Sequence, residues 1–283
     1  LKNKIILITG AGGTIGSELC RQIINLKPKK LIVLDNNEFA LFKITDELKS
    51  ACVASLTDIR DEKKLSEILD KYKPDYVFHA AALKHITFVE NDPLEALKTN
   101  FLSTVLLCEL CIKKQIEKMI FISTDKAVYP SNVMGATKRL SEKYIQKISK
   151  NSLNCSFSIV RFGNVLGSTG SVVPIFEEQI KNNSTITITH PKVQRFFMTI
   201  REAVELVIIS SQIESKKNGE IFILEMGKPV LIRDLAKKMI TLSGKNYDEI
   251  KIKYTGLRRG EKISEDLYFK EEKIKKTKID GIL

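Results

Sequence analysis

The sequence predicts an α/β protein: a doubly wound parallel sheet carrying a smaller α/β lobe. Three observations lead there. Segments such as Ile5–Ile8 and Met119–Ile122 are unbroken apolar runs, the pattern of strands covered on both faces. These runs alternate with helical stretches through the first part of the chain, as βα units do. A glycine cluster, Gly10, Gly12, Gly13 and Gly16, separates the first strand from the first helix. At 283 residues and 43% hydrophobic composition, the chain can build one large and one small unit. The expected division is 1–165 for a Rossmann-type nucleotide-binding domain and 166–283 for a mainly substrate-binding lobe, with some segments returning to the sheet.

Lys4–Thr9 is the first strand, and a helix follows the glycines through Ile24. Gly10, Gly13 and Gly16 permit a tight turn and a close approach of backbone amides to an anion. Thr14 and Ile15 open a helix whose amino end favours a pyrophosphate. The second strand, Lys30–Leu34, ends at Asp35-Asn36. Strand, glycines, helix, strand and acid form the dinucleotide-binding spacing, with Asp35 placed for ribose hydroxyls. A carboxylate there repels a 2′-phosphate and no arginine follows it, so NAD is expected rather than NADP.

Ala51–Ser55 is a short strand before Asp58-Ile59. Asp58 is suited either to the adenine amine or to capping the next helix. Asp75–His79 is a strand ending in Ala80-Ala81-Ala82, small residues that let a cofactor lie on the sheet edge. His79 reads as a packing histidine, and Lys84-His85 as a border of the substrate pocket. Pro93–Lys114 is a long helix. Lys118–Ile122 is a strand leading to Ser123-Thr124-Asp125-Lys126. A hydroxyl, a carboxyl and an amine at the carboxyl end of a strand suit proton transfer; alone, they would read as a helix cap. Ser131–Lys150 is helical and contains Met134 and Lys138. Cys155–Val160 is a strand running into Arg161–Ser168. Further segments are expected near 174–181, 186–189, 201–213, 221–224 and 231–242, then a loop over Gly256–Glu261. The Lys-rich end from Lys270 reads as a helix or a frayed tail.

Net charge is +12 and pI about 9.3. The lysines are scattered, which favours an anionic ligand or an anionic membrane face. No nucleic-acid-binding motif is present, so nucleic acid is not an expected partner. Five widely spread cysteines argue for reduced thiols in a cytoplasmic setting. Cys108 and Cys111 share an apolar helix face and read as core, and no metal ligands are assigned. No apolar stretch is long enough to span a bilayer. Because the chain starts at Leu1 just before a strand, it is expected to be a piece of a longer protein.

TGAGGTIG at Thr9–Gly16, Lys138 in a YxxxK-like position and RFGNVLGS at Arg161–Ser168 resemble the extended short-chain dehydrogenase/reductase family. Within it, Ser123–Arg139 and Gly256–Leu267 resemble the UDP-N-acetylglucosamine 4,6-dehydratases, over nearly the whole chain. The likeness is strongest to the membrane-anchored, configuration-retaining branch that begins the route to diacetylated bacillosamine. Met134 stands where most relatives carry tyrosine; a thioether cannot act as a base, and that substitution marks the retaining branch. Arg259, at a position usually proline, is a smaller departure expected to be tolerated.

The resemblance implies a tightly held NAD, UDP-N-acetylglucosamine as substrate and a hydro-lyase reaction. Sugar C4 is oxidised, water leaves across C5–C6, and hydride returns to C6. Lys126 is then the C5 base, which must be neutral to act. Asp125 is the acid for the C6 hydroxyl, Thr124 bonds the C4 oxygen, and Lys138 bonds the nicotinamide ribose. A relay to Asp125 or Lys138 is expected for the C4 proton. Asn100 and Phe162 join the cofactor set. Asn164, Arg195, Arg258 and Glu261 join Lys84 in holding the nucleotide sugar, the two arginines at the pyrophosphate. The resemblance also implies a homo-oligomer paired through 93–114 and 131–150. It places the full-length protein at the cytoplasmic face of the inner membrane, anchored through its upstream region. A UDP-sugar 4-epimerase, or a non-catalytic NAD sensor marked by Met134, are the competing readings.

Overall fold

The computed structural model describes residues 1–214, 217–246 and 250–283. In chain order, the first half contains β1 (Ile5–Thr9), α1 (Thr14–Asn25), β2 (Lys30–Asp35), α2 (Glu38–Leu48), β3 (Val53–Leu56), α3 (Glu62–Tyr72) and β4 (Tyr76–His79). Then come α4 (Ile86–Asn91), α5 (Pro93–Ala96), α6 (Ser103–Lys113), β5 (Lys118–Thr124), α7 (Val133–Ile148) and β6 (Ser156–Phe162). Seven parallel strands form the main sheet in the order β3-β2-β1-β4-β5-β6-β11, where β11 is Glu220–Ile223. Strand order reverses between β1 and β4, which opens the crevice where such sheets bind ligands.

The continuous apolar runs have the expected cause. Ile6 and Ile8 join one core with Leu19, Ile23, Val204 and Val207. Leu7, between them, joins the opposite core with Leu65, Leu107 and Cys111. The β1 strand is thus buried on both faces.

The rest of the chain adds β7 (Asn164–Val165), α8 (Val172–Lys181), β8 (Ile186–Ile188), β9 (Gln194–Arg195), β10 (Phe197–Met198) and α9 (Ile200–Ser210). After β11 come β12 (Val230–Leu231), α10 (Ile232–Leu242) and β13 (Ile252–Tyr254). The lobe has its own core of Phe176, Ile180, Ile186, Ile188 and Ile240. By contrast, α9 packs on α1 and β11 pairs with β6, so these two elements join the large sheet and its helices.

Two stretches differ from the sequence expectation. The helix expected over 93–114 widens into a π-helical turn at Leu97–Leu102. There the Asn100 carbonyl accepts hydroxyls from Thr104 and Ser141, which offers an alternative to regular helical bonding. The Lys-rich end forms no helix. It runs back along the sheet edge, where Leu224 bridges Ile282 and Ile223 exchanges backbone bonds with Leu283.

Candidate active site

The glycine turn is shaped by contact. Gly10 has φ +67°, and a Cβ there would lie 2.6 Å from the Ala81 nitrogen. The first turn and the Ala80–Ala81 segment therefore meet backbone to backbone. Asp35 ends β2, accepting the Gly12 amide at 2.8 Å and the Asn37 amide at 2.9 Å. Its carboxylate is thereby fixed beside the turn. Gly13, Thr14, Ile15 and Gly16 form the start of α1 above it. Asn36 bonds to Asp58, whose carboxylate is also forked by Arg60 and held below its usual value by that guanidinium. Asp58 does not cap α3; Asp61 does, accepting the Lys64 amide. Ile59 is buried beneath. Lys84 donates to the Thr169 carbonyl at 2.7 Å, and the Thr169 amide reaches Thr14 Oγ1. The segment after β7 thus lies across the glycine turn.

The other half of the crevice is the end of β5. Thr124 accepts the Lys126 amide as a short cap, so the cap reading of the sequence holds too. The Thr124 hydroxyl donates to Asp125 Oδ1 at 2.9 Å, and Lys126 Nζ donates to the same oxygen at 2.9 Å. Lys126 Nζ also donates to Asn164 Oδ1 at 2.9 Å. Asp125 is fully buried, and its Oδ2 has no partner among the described residues. Asn132 caps α7. A Cβ on Gly135 would fall 2.1 Å from the Lys126 carbonyl, so only glycine lets this helix come so close to the Thr124–Lys126 segment.

Lys138 is buried, donates to the Ile122 carbonyl at 2.7 Å and lies over the Phe121 ring. Burial pushes its ammonium down to about 7, against the pull of Glu142. His79 bonds Thr9 and Thr104 through its two ring nitrogens and is held neutral, down to about 3, by burial and by Lys138. It is a packing residue. Met134 packs with Val89 and Ala96. Phe162 pairs in register with Thr124 at the end of β6.

Three expected ligand residues are engaged elsewhere. The Asn100 side chain bonds both backbone groups of Leu83 and also Thr137, so it braces the loop after β4. Arg195 donates to the carbonyls of Gln194, Lys262 and Ile263 and to Glu261. Glu261 in turn accepts from Thr189 and from the Arg258 amide. Arg195 and Glu261 therefore fix the 258–263 loop, while the Arg258 side chain is exposed beside them.

Sequence reasoning missed Glu265. It is 7% exposed, and burial beside Asp125 raises its pKa, although Lys126, Arg195 and Lys262 oppose that shift. It also missed the fully buried pair Glu142–Arg161. A charged residue inside the apolar strand Ser156–Phe162 was the signal that could have found it. A wide groove lies elsewhere, along β11; the crevice is singled out by the residues that line it.

The family described as "Polysaccharide biosynthesis protein" matches residues 6–283. The chain is 46% identical to the capsular polysaccharide biosynthesis protein CapD of Staphylococcus aureus, over 96% of this chain and 46% of that protein. It thus spans about half the length of that relative. It is 35% identical to a UDP-glucose 4-epimerase of Rickettsia canadensis, over 96% of this chain and 80% of the relative. Identity to an inverting UDP-N-acetylglucosamine 4,6-dehydratase of Campylobacter jejuni is 34%, over 93% and 76%. Among solved structures, Pen from Bacillus thuringiensis matches with TM-score 0.88 and 38% identity, covering 95% of this chain and 84% of that one.

Proposed function

The chain belongs to the polysaccharide biosynthesis protein family, with an extended short-chain dehydrogenase/reductase fold, and we propose that it dehydrates UDP-N-acetylglucosamine across C5–C6 with bound NAD. The substrate, the retaining branch and the link to bacillosamine belong to this proposal. The cofactor fits the chain: the Gly10 turn has no room for a side chain, and Asp35 waits at the end of β2. Gly10, Gly13, Gly16, Asp35 and Asn36 would hold its adenosine and phosphates, and Lys138 and Phe162 would flank its nicotinamide. When bound, the nicotinamide supplies a reversible hydride store between C4 and C6 of the sugar.

One observation carries the reading. Asp125 Oδ1 receives both the Thr124 hydroxyl and the Lys126 amine at 2.9 Å, leaving Oδ2 unpartnered. The C4 hydroxyl proton passes through Thr124 to the Asp125 carboxylate. Lys126, as the free amine, takes the C5 proton. The Asp125 carboxyl gives its proton to the C6 hydroxyl, which leaves as water. That step ends with carboxylate and ammonium side by side, an arrangement that stabilises the charges as they form. Lys126 then returns its proton to C5, and both groups regain their starting forms. The proton balance closes without another base.

Incubation with UDP-N-acetylglucosamine tests this. A product lighter by one water is expected. An isomer of unchanged mass would instead establish 4-epimerisation, the reading the epimerase relative supports. No turnover would leave the sensor reading.

A further inference from the structure

We propose that Glu265 is a positioning residue of the dehydration, the site that keeps a proton so that Lys126 can stand as a free amine. The inference rests on the dehydratase reading and deepens it. The cycle proposed above starts from the Asp125 carboxylate beside a neutral Lys126. A carboxyl and an amine 2.9 Å apart ordinarily exist as carboxylate and ammonium. The base is therefore ready only once a proton has left the pair, and a nearby group has to take it.

Two observations single out Glu265. The first is that it is buried without a hydrogen-bond donor. Its side chain is 3% exposed, and its ion-pair partner among the described residues, Lys262 Nζ, stands 3.7 Å from Oε2, beyond hydrogen-bonding range. The cations around it are committed elsewhere. Lys262 donates to the Val128 carbonyl, and Lys126 to Asp125 and Asn164. Arg195 donates to the carbonyls of Gln194, Lys262 and Ile263 and to Glu261. A buried carboxylate with no donor is costly, and such a group takes a proton instead. Burial pushes the Glu265 carboxyl up and Asp125 adds to the rise, while Lys126, Arg195 and Lys262 oppose it.

The second is its place. The Val128 amide bonds the Asp125 carbonyl, and Lys262 bonds the Val128 carbonyl. The loop that carries Glu265 is thus fastened to the turn that carries Asp125 and Lys126. The unpartnered Asp125 Oδ2 meets the other anchor of that loop. A Cβ on Gly163 would lie 3.0 Å from both Oδ2 and the Phe196 Cβ, and Phe196 follows Arg195, which holds the Lys262 and Ile263 carbonyls.

The step balances. An N–H bond of the Lys126 ammonium breaks, leaving the amine, and an O–H bond forms on the Glu265 carboxylate, giving the acid. Two charges shielded from solvent vanish together, which a weakly polar site favours. Net charge is unchanged, no co-reactant is needed, and Asp125 remains the carboxylate that receives the C4 proton.

Glu265→Gln keeps the shape and removes the proton site, so Lys126 must release its proton to solvent. In the whole chain loaded with NAD and given UDP-N-acetylglucosamine, wild-type turnover should stay level across neutral pH. Turnover of Glu265→Gln should fall at least about tenfold at neutral pH and recover about tenfold with each unit of rising pH. Solvent deuterium should enter C5 with the same slope. Glu265→Asp, which keeps a carboxyl, should retain the level profile. Circular dichroism checks that each variant folds. A loss of equal size at every pH, or no loss in Glu265→Gln, overturns the proposal. A second measurement needs no turnover. The infrared difference spectrum of wild type against Glu265→Gln at neutral pH should show the carbonyl band of a protonated carboxyl, and its absence overturns the proposal as well. If the wild type releases no water from the sugar, the dehydratase reading fails separately, and the infrared band still decides whether Glu265 holds the proton.

Discussion

Two acid–base pairs are shielded from solvent, Asp125–Lys126 and Glu142–Arg161, and they are built in opposite ways. Glu142 uses both oxygens fully: Ser123 and Arg161 Nε bond Oε1, and Arg161 Nη2 and Arg139 bond Oε2. Arg161 spends its remaining donors on the Leu267 carbonyl and Glu272. Both side chains are inaccessible to solvent. Asp125 and Lys126, by contrast, share one oxygen, and the second carboxylate oxygen is buried without a partner. A satisfied buried pair is architecture: it ties α7, β6 and the C-terminal segment together beneath β5. An unsatisfied one carries a cost, and on the proposed function a bound substrate is what would relieve it.

The contrast breaks first at the reactive pair. Asp125→Asn and Lys126→Ala should each lower turnover about 10³-fold or more, while unfolding free energy in urea changes by no more than about 1 kcal/mol. Lys126→Ala should in addition stop incorporation of solvent deuterium at C5. A variant that turns over normally, or that unfolds, would erase the distinction. Glu142→Gln is the mirror experiment. Removing the fully buried partner leaves Arg161 with only the partly exposed Glu272 and should cost about 3 kcal/mol in urea unfolding, with the sugar chemistry of the remaining folded protein reduced less than tenfold. Equal damage to both quantities would mean the second pair is also part of the chemistry.

Lys138 sharpens the comparison because it is a buried charge with no acid bonded to it. Its folded value lies at about 7 against an ordinary 10.5, so between those values the unfolded chain binds more protons. Wild-type stability from this group therefore rises with pH across that window, and the penalty is greatest below 7. Lys138→Met should stabilise the protein most at acid pH. That advantage should shrink by about 2–3 kcal/mol from pH 6 to pH 9, read from urea midpoints at the two pH values. A pH-independent difference would show that Lys138 is not held near neutrality. The same group carries a positive charge beside the crevice only below about 7.

Much of this was legible from residue order. Strands buried on both faces advertise themselves as unbroken apolar runs, so β1, β2 and β5 fall where Ile5–Ile8, Leu31–Leu34 and Met119–Ile122 place them, while β6 lies where the mixed stretch Cys155–Val160 is expected to be a strand. The place of Asp35 at the end of β2, beside the glycine turn, follows from spacing, because a turn fixes where a residue at a given offset must lie; Lys138 is singled out by the family resemblance. What stayed hidden depends on side chains meeting across the fold. Arg195 and Glu261 carry charges that suit a nucleotide, but the loop they stabilise is a tertiary object. Glu265 has no periodicity to mark it as buried. Asn100 is expected in the cofactor set, and its side chain is instead bonded to Leu83 and Thr137. The tail from Lys270 failed differently: its composition suits a helix, yet pairing with β11 supplies backbone partners that a lone helix would lack.

A third ion pair sets the lower bound of the comparison. Arg60 forks the Asp58 carboxylate and reaches Glu95, with all three side chains about a third to a half exposed. Solvent screens such pairs, and ordering the long side chains offsets much of the attraction. Arg60→Ala should therefore change stability by less than about 1 kcal/mol, and less still in molar salt. Its effect on cofactor binding separates the two uses open to Asp58. If Asp58 meets the adenine amine, releasing it from the guanidinium leaves NAD affinity unchanged or improved, measured by calorimetric titration. If Arg60 itself meets the adenosine end, affinity falls. Geometry alone makes the Arg60–Asp58 fork resemble the Arg161–Glu142 pair, and only burial distinguishes them. A loss of several kcal/mol at Arg60 would show that number of contacts, and not exclusion of water, is what makes a pair in this fold structural.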